Sequence, residues 1–194
     1  MTELAAPLTA PPAPPGRRRE LLFGTVFATS GVVMVMLTLI GAYLTARNDA
    51  GAEWLASNTI PLTQPNMQMF GLALSVVTVQ WAVYAINRDD RTATLVALGA
   101  TLLLGAAFIN QTIFLLNFVG VTADQAEGTL FYAATGGHLA MAVAAMIFLV
   151  FVGFRALGGQ YSSRNPDGIA AAAVFWDSMV AVYVVVWIAV YIMK

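Results

Sequence analysis

The 194-residue sequence contains no cysteine, one histidine and few charged residues, and each of these absences excludes a class of function. Without cysteine the chain forms no disulfide, iron–sulfur cluster or thiolate zinc site. One histidine is too few for the histidine-rich sites of copper or di-iron proteins. We therefore expect no metal site, no cofactor and no catalytic residue in this chain. A formal net charge of −1 gives no reason to expect nucleic acid as a partner.

Apolar residues are abundant instead. Hydrophobic residues make up 59% of the sequence and charged residues only 10%, which is far from the composition of soluble domains. Because backbone groups in hydrocarbon need internal hydrogen-bond partners, each long apolar block is predicted to be an α-helix. The sequence predicts an all-α integral membrane protein in which residues 21–194 form five transmembrane helices. These span approximately residues 21–46, 67–86, 93–119, 129–154 and 169–193.

Basic residues between the apolar blocks predict how the chain crosses the membrane. Residues 1–20 begin with a proline- and alanine-rich stretch and are predicted to be a disordered cytoplasmic tail. Seven arginines lie before helix 1 and in the loops after helices 2 and 4, whereas the other side has only Arg47 and Lys194. The N-terminus is therefore predicted to be cytoplasmic and the C-terminus to lie outside.

Asp177 is the only acidic residue within a predicted transmembrane helix. An ionisable group at such a depth is costly unless it is paired or protonated, so Asp177 is a candidate functional residue. Ala173 and Ala181 share its helix face, and small residues allow another helix to approach closely. We therefore expect Asp177 to face protein rather than lipid.

The single histidine lies in predicted helix 4, beside a ridge of small residues formed by Gly136, Ala140 and Ala144. Counted from opposite membrane surfaces, the depths of His138 and Asp177 differ by only about 5 Å. The two side chains are therefore predicted to lie near the membrane midplane, within reach of a hydrogen bond. Such a pair either pins two helices together or acts in proton transfer or headgroup binding, and the absence of any contact also stays open.

Neutral polar side chains in the predicted membrane segments are candidates for hydrogen bonds between helices, each typically worth about 1 kcal/mol. They are Gln80, Asn110, Gln111 and Asn117. The sequence has no glycine-rich phosphate loop, nucleophile triad or carboxylate pair. On these physical grounds alone, the chain is either a membrane subunit without chemistry of its own or a small carrier.

Several segments, in their order along the chain, resemble a known family. They are AYLTARNDAGAEW (42–54), SVVTVQWAVYAINRDDR (75–91), GTLFYAATGGHLAMA (128–142) and a last helix with Trp176, Tyr191 and Lys194. Over about residues 22–194 the chain resembles subunit III of the haem–copper cytochrome c oxidases, in its short five-helix bacterial form. The family's buried helix glutamates fall at Val32 and near Gln111, and its second helix-4 histidine falls at Met141.

The resemblance implies a non-catalytic accessory subunit, not an enzyme by itself, of a proton-translocating oxidase in aerobic electron transport. It implies packing against catalytic subunit I and other membrane subunits of a respiratory complex or supercomplex, which would hold the haem and copper. It also implies bound phospholipid in a cleft between helices 1–2 and helices 3–5, support of proton uptake and stability, and a multi-pass location in the bacterial plasma membrane. Two other hypotheses stay open, a small proton-coupled transporter that uses Asp177 and His138, and an assembly or anchor subunit of another complex.

Overall fold

A computed structural model of the chain describes residues 19–51, 54 and 60–193. The described residues form five long helices, each long and apolar enough to cross a membrane, which confirms the predicted all-α class with five such helices. They are α1 (Glu20–Ala50), α2 (Thr63–Ile86), α3 (Arg91–Phe118), α4 (Ala126–Leu157) and α5 (Asp167–Val186). A π-helical segment, Trp187–Ile192, continues α5 without a break. Most of the predicted cytoplasmic tail, residues 1–18, lies outside the described part of the chain.

The helices extend past their apolar blocks at both membrane surfaces. Arg47 lies within the last turn of α1 and Arg155 within the last turn of α4. A basic side chain near the C-terminus of a helix interacts favourably with the exposed carbonyl groups there. Both helices therefore continue beyond the hydrocarbon core into the polar surface region of the membrane. Composition alone does not indicate a membrane helix there.

Helix α5 lies at the centre of the bundle. It packs against α1, α2 and α4, while α3 packs against α2 and α4, and α4 also packs against α1. The most extensive contact is between α2 and α3. Across the described residues, α1 and α2 make almost no contact with each other. The predicted position of a cleft, between helices 1–2 and helices 3–5, is therefore wrong. Helix α2 packs against α3, and the gap in the bundle lies between α1 and α2.

Two short connections at the same end of the bundle are joined through Asp89. This residue has a φ of 59°, in the left-handed region that Asp tolerates better than most side chains. Its carboxylate accepts hydrogen bonds from the Ser163 hydroxyl and backbone N–H, each at 2.6 Å. These hydrogen bonds lower the pKa of Asp89 below its ordinary value. The next residue, Asp90, caps α3 by accepting from the backbone N–H of Ala93 at 2.9 Å.

Gly105 of α3 leaves room for two side chains from neighbouring helices, Met146 of α4 and Trp176 of α5. A Cβ placed on Gly105 would overlap the sulfur of Met146 and lie 2.5 Å from Cη2 of Trp176. Trp176 is fully buried, and its Nε1 donates to the Ser75 hydroxyl of α2 at 2.9 Å. The largest side chain in the bundle interior is thus seated against a position that has no side chain.

Candidate functional site

His138 lies in the bundle interior with 2% of its surface exposed. Its Nε2 lies 3.0 Å from the carbonyl oxygen of Met179 in α5. Because a carbonyl only accepts, this contact assigns the hydrogen to Nε2. The ring centroid lies 5.6 Å from that of Phe108 and 5.2 Å from that of Tyr183. The single histidine is therefore a buried polar contact that joins α4 to α5.

The hydrogen bond predicted between His138 and Asp177 is not formed. Asp177 Oδ2 instead accepts from Nε2 of Gln80 in α2 at 2.5 Å, while His138 contacts the backbone at Met179. Residues two apart on an α-helix point about 200° away from each other. The face of α5 that meets α4 at Met179 therefore cannot also present Asp177 to α4, even though the two residues lie at similar depths.

Asp177 lies at the edge of the bundle rather than inside it. The side chain is half-buried, and its partner Gln80 is exposed on the outer face of α2. Oδ1 of Asp177 is shielded from solvent and has no hydrogen-bond partner among the described residues. The expectation that Asp177 faces protein is met only in part. One oxygen contacts α2, and the side chain borders the gap between α1 and α2.

A second group of polar side chains, which the sequence analysis did not single out, holds three helices together. The hydroxyl of Tyr183 in α5 donates to Oε1 of Gln68 in α2 at 2.6 Å. The amide nitrogen of Gln68 donates to Oγ1 of Thr112 in α3 at 3.2 Å. All three side chains are buried. The sequence does not mark Gln68 as a buried residue, because it lies at the edge of its apolar block, where a polar residue is expected at the membrane surface.

The other neutral polar candidates take no part in this group. Asn110 and Asn117 lie exposed on the outside of α3. Gln111 is half-buried and lines a small pocket of about 50 Å³ between α2 and α3. Thr101, which was not a candidate, lies 2.8 Å from the hydroxyl of Thr78 in α2 and links the same two helices.

The small-residue ridge predicted on α4 does not pack inside the bundle. Ala140 and Ala144 are exposed, and a Cβ placed on Gly136 would meet no atom within 4 Å. The close approach occurs one residue later, where a Cβ on Gly137 would lie 3.2 Å from the sulfur of Met36 in α1. Neighbouring positions on a helix differ by about 100° in direction, so the predicted ridge lies on the wrong face.

The two alanines predicted beside Asp177 differ in their surroundings. Ala173 is buried within the bundle, whereas Ala181 is exposed.

The described residues around Asp177 do not form a cluster of metal ligands. Within residues 19–51, 54 and 60–193, no three His, Asp or Glu side chains come close enough together to hold a metal ion. The arrangement is one of helix contacts, with one incompletely paired carboxyl group at the edge of the bundle.

Comparison with known proteins places these helices in a family context. The family model of cytochrome c oxidase subunit III matches residues 18–194. Cytochrome c oxidase subunit 3 of Pelomedusa subrufa is 24% identical over 91% of this chain and 71% of the relative. The Petromyzon marinus protein of that name is 30% identical over 77% of this chain and 59% of the relative. The Aedes aegypti protein is 31% identical, and there the aligned part covers 68% of this chain and 50% of the relative.

Proposed function

The chain belongs to the cytochrome c oxidase subunit III family, and on this basis we propose that it is a non-catalytic accessory subunit of a haem–copper cytochrome c oxidase. The observation that carries the proposal is the family match over residues 18–194, which include all five helices. The chain spans only half to about seven tenths of the length of the relatives compared. The role of the longer relatives in their complex is therefore a proposal for this chain.

In the proposed complex, this chain contributes structure, and partner subunits hold the haem and copper. The sequence supplies one histidine and no cysteine, and the imidazole of His138 is already hydrogen-bonded to the Met179 carbonyl. The bundle interior is held by hydrogen bonds between helices, such as the one from Trp176 to Ser75. We infer that the subunit packs against the catalytic subunit and supports its stability and proton uptake during turnover.

An apolar groove between α3 and α4 has a lining that suits the acyl chain of a bound phospholipid. The groove has a volume of about 290 Å³ and is lined by apolar residues that include Leu98 and Phe154. Leu157 lies at one end of the groove, and its carbonyl accepts a hydrogen bond from the Arg91 side chain. An acyl chain in the groove would place an anionic headgroup near Arg91, at the surface where basic residues favour such lipids.

The proposed location is the bacterial plasma membrane, with the N-terminus in the cytoplasm. Support comes from the arginine-rich side of the chain, which includes Arg88, Arg91, Arg155 and Arg164. Membership of a larger respiratory supercomplex belongs to the same proposal. The transporter hypothesis gains no support, because its two residues, Asp177 and His138, have separate partners on different helices.

Purification of a tagged copy from native membranes in mild detergent tests the proposed function. We expect haem-bearing membrane subunits to co-purify in fixed proportion, with absorbance from their haem and oxidation of reduced cytochrome c. Mass spectrometry of the intact complex identifies the partners and any lipid retained. A tagged protein that purifies alone, or with partners that lack haem, would show that the proposal is wrong.

A further inference from the structure

One face of the central helix α5 is left uncovered by the residues that the structure describes. Asp177, Ala181, Val185 and Ile188 follow the spacing of a single helix face, and each is half-buried or exposed. Helices α1 and α2 flank α5 but make almost no contact with each other in the described structure. This uncovered face of α5, together with the flanking sides of α1 and α2, is named the α1–α2 groove here.

The α1–α2 groove contains a hydrogen-bond acceptor, Oδ1 of Asp177, that has no donor within the described part of the chain. Asp177 lies ten residues after the first residue of α5, Asp167, which corresponds to about 15 Å along the helix. That depth is near the middle of a hydrocarbon core of about 30 Å, beyond the reach of lipid headgroups at the surface. Oδ2 accepts from the Gln80 amide, and the shielded Oδ1 accepts from no described residue.

The described residues also provide no lysine or arginine at this depth. The described arginines lie in loops or in the first or last turns of helices, as Arg47, Arg91 and Arg155 illustrate. Gln80 offers a neutral amide, which bonds one carboxylate oxygen without neutralising the charge. An aspartate inside a membrane segment characteristically faces a protein interior or a cavity and pairs with an oppositely charged group.

We propose that the α1–α2 groove is the docking site for a transmembrane helix of another subunit, and that this helix brings a lysine, arginine or histidine side chain to Asp177. The small side chain of Ala181 lets the backbone of the docked helix approach α5 closely. The inference rests on the proposed function, since it names the face by which this subunit meets the oxidase complex. Gln80 then holds the carboxylate in place while the partner's cation bonds the second oxygen.

Photo-crosslinking in the intact complex tests the location of this interface. The probe is a benzophenone amino acid that replaces Val185, an exposed residue of the same α5 face that leaves the small Ala181 in place, and the control carries the probe at Ala106, an exposed position on α3. We expect the probe at position 185 to crosslink a partner helix within about two turns of a basic residue, and the control to give no crosslink to that helix. Crosslinks from position 185 only to lipid, only to a second copy of this chain, or to a helix without a basic residue would overturn the proposal.

Substitution of Asp177 tests the role of the charge. Asp177→Asn removes the charge but keeps an oxygen that accepts from Gln80, so the bundle itself is expected to fold. The yield of co-purified partner at fixed detergent concentration is expected to fall at least roughly tenfold, because a buried cation is left unpaired. The control Asp124→Asn removes a carboxylate from the exposed loop before α4, and it is expected to leave the yield unchanged.

A charge exchange completes the test. Asp177→Lys combined with an aspartate at the crosslinked basic residue is expected to recover the partner yield that either single change loses. An unchanged yield with Asp177→Asn, or no recovery in the exchanged pair, would overturn the inferred ion pair. If haem-bearing subunits co-purify while these tests fail, only the docking proposal is wrong. If no haem-bearing subunit co-purifies with the unmodified chain, the proposed function is wrong as well.

Discussion

Adding a single methyl group at Gly105 is expected to destabilise the bundle, although glycine to alanine normally favours a helix. The new Cβ would overlap the sulfur of Met146 and lie 2.5 Å from the ring of Trp176. The methionine side chain is flexible and moves aside at little cost. The indole is fully buried and hydrogen-bonded to Ser75, so it moves only by disturbing α2 as well.

The matched control is Gly99→Ala on the same helix, where a Cβ would meet no atom within 4 Å. Both variants gain the same helix propensity, so the difference between them isolates the overpacking, which typically costs about 1–3 kcal/mol. For a chain of this size, the Gly105→Ala variant should unfold roughly 2–12 °C below the Gly99→Ala variant. Thermal unfolding in mild detergent, followed by tryptophan fluorescence, measures this difference. Equal midpoints would refute the close contact between Gly105 and the Trp176 side chain.

Three further predictions concern polar groups. His138→Leu is expected to cost about 1 kcal/mol of bundle stability, measured by the same unfolding assay, because it removes one hydrogen bond between helices; a variant as stable as the native chain would contradict this role. Tyr183→Phe should lower the free energy of unfolding by about 1 kcal/mol, because the Gln68 side-chain oxygen loses its donor. Gln68→Leu should then destabilise the Tyr183→Phe variant less than it destabilises the native chain. Strictly additive losses in this double-mutant cycle would count against direct coupling of the two side chains. The lowered pKa of Asp89 means that its contribution to stability is present above the ordinary aspartate pKa of about 3.9 and is lost as the pH falls through the lower folded value. The hydrogen-exchange protection factor of the Ser163 amide should therefore decrease as the pH falls through the lowered pKa of Asp89. The same decrease in the Asp89→Asn variant would show that Asp89 is not the titrating group.

The helix contacts that differ from the sequence predictions share one physical cause. All five helices are apolar around most of their circumference, because both lipid and the bundle interior favour apolar side chains. A soluble helix shows which face is buried by its polar opposite face, whereas these helices give no such signal. The choice between Gly136 and Gly137 as the packed glycine of α4 was therefore not decided by composition.

The sequence by itself determined that the chain forms five membrane-length helices, because hydrocarbon leaves the backbone no other way to satisfy its hydrogen bonds. It also carried the resemblance to subunit III and identified His138 and Asp177 as the histidine and the acidic residue within the predicted membrane segments. Only the tertiary structure decided which helices are in contact. In it His138 is hydrogen-bonded to the Met179 carbonyl, and Asp177 accepts a hydrogen bond from the Gln80 amide. The physical reason is that helix rotation is fixed by packing between helices, which no single apolar segment encodes.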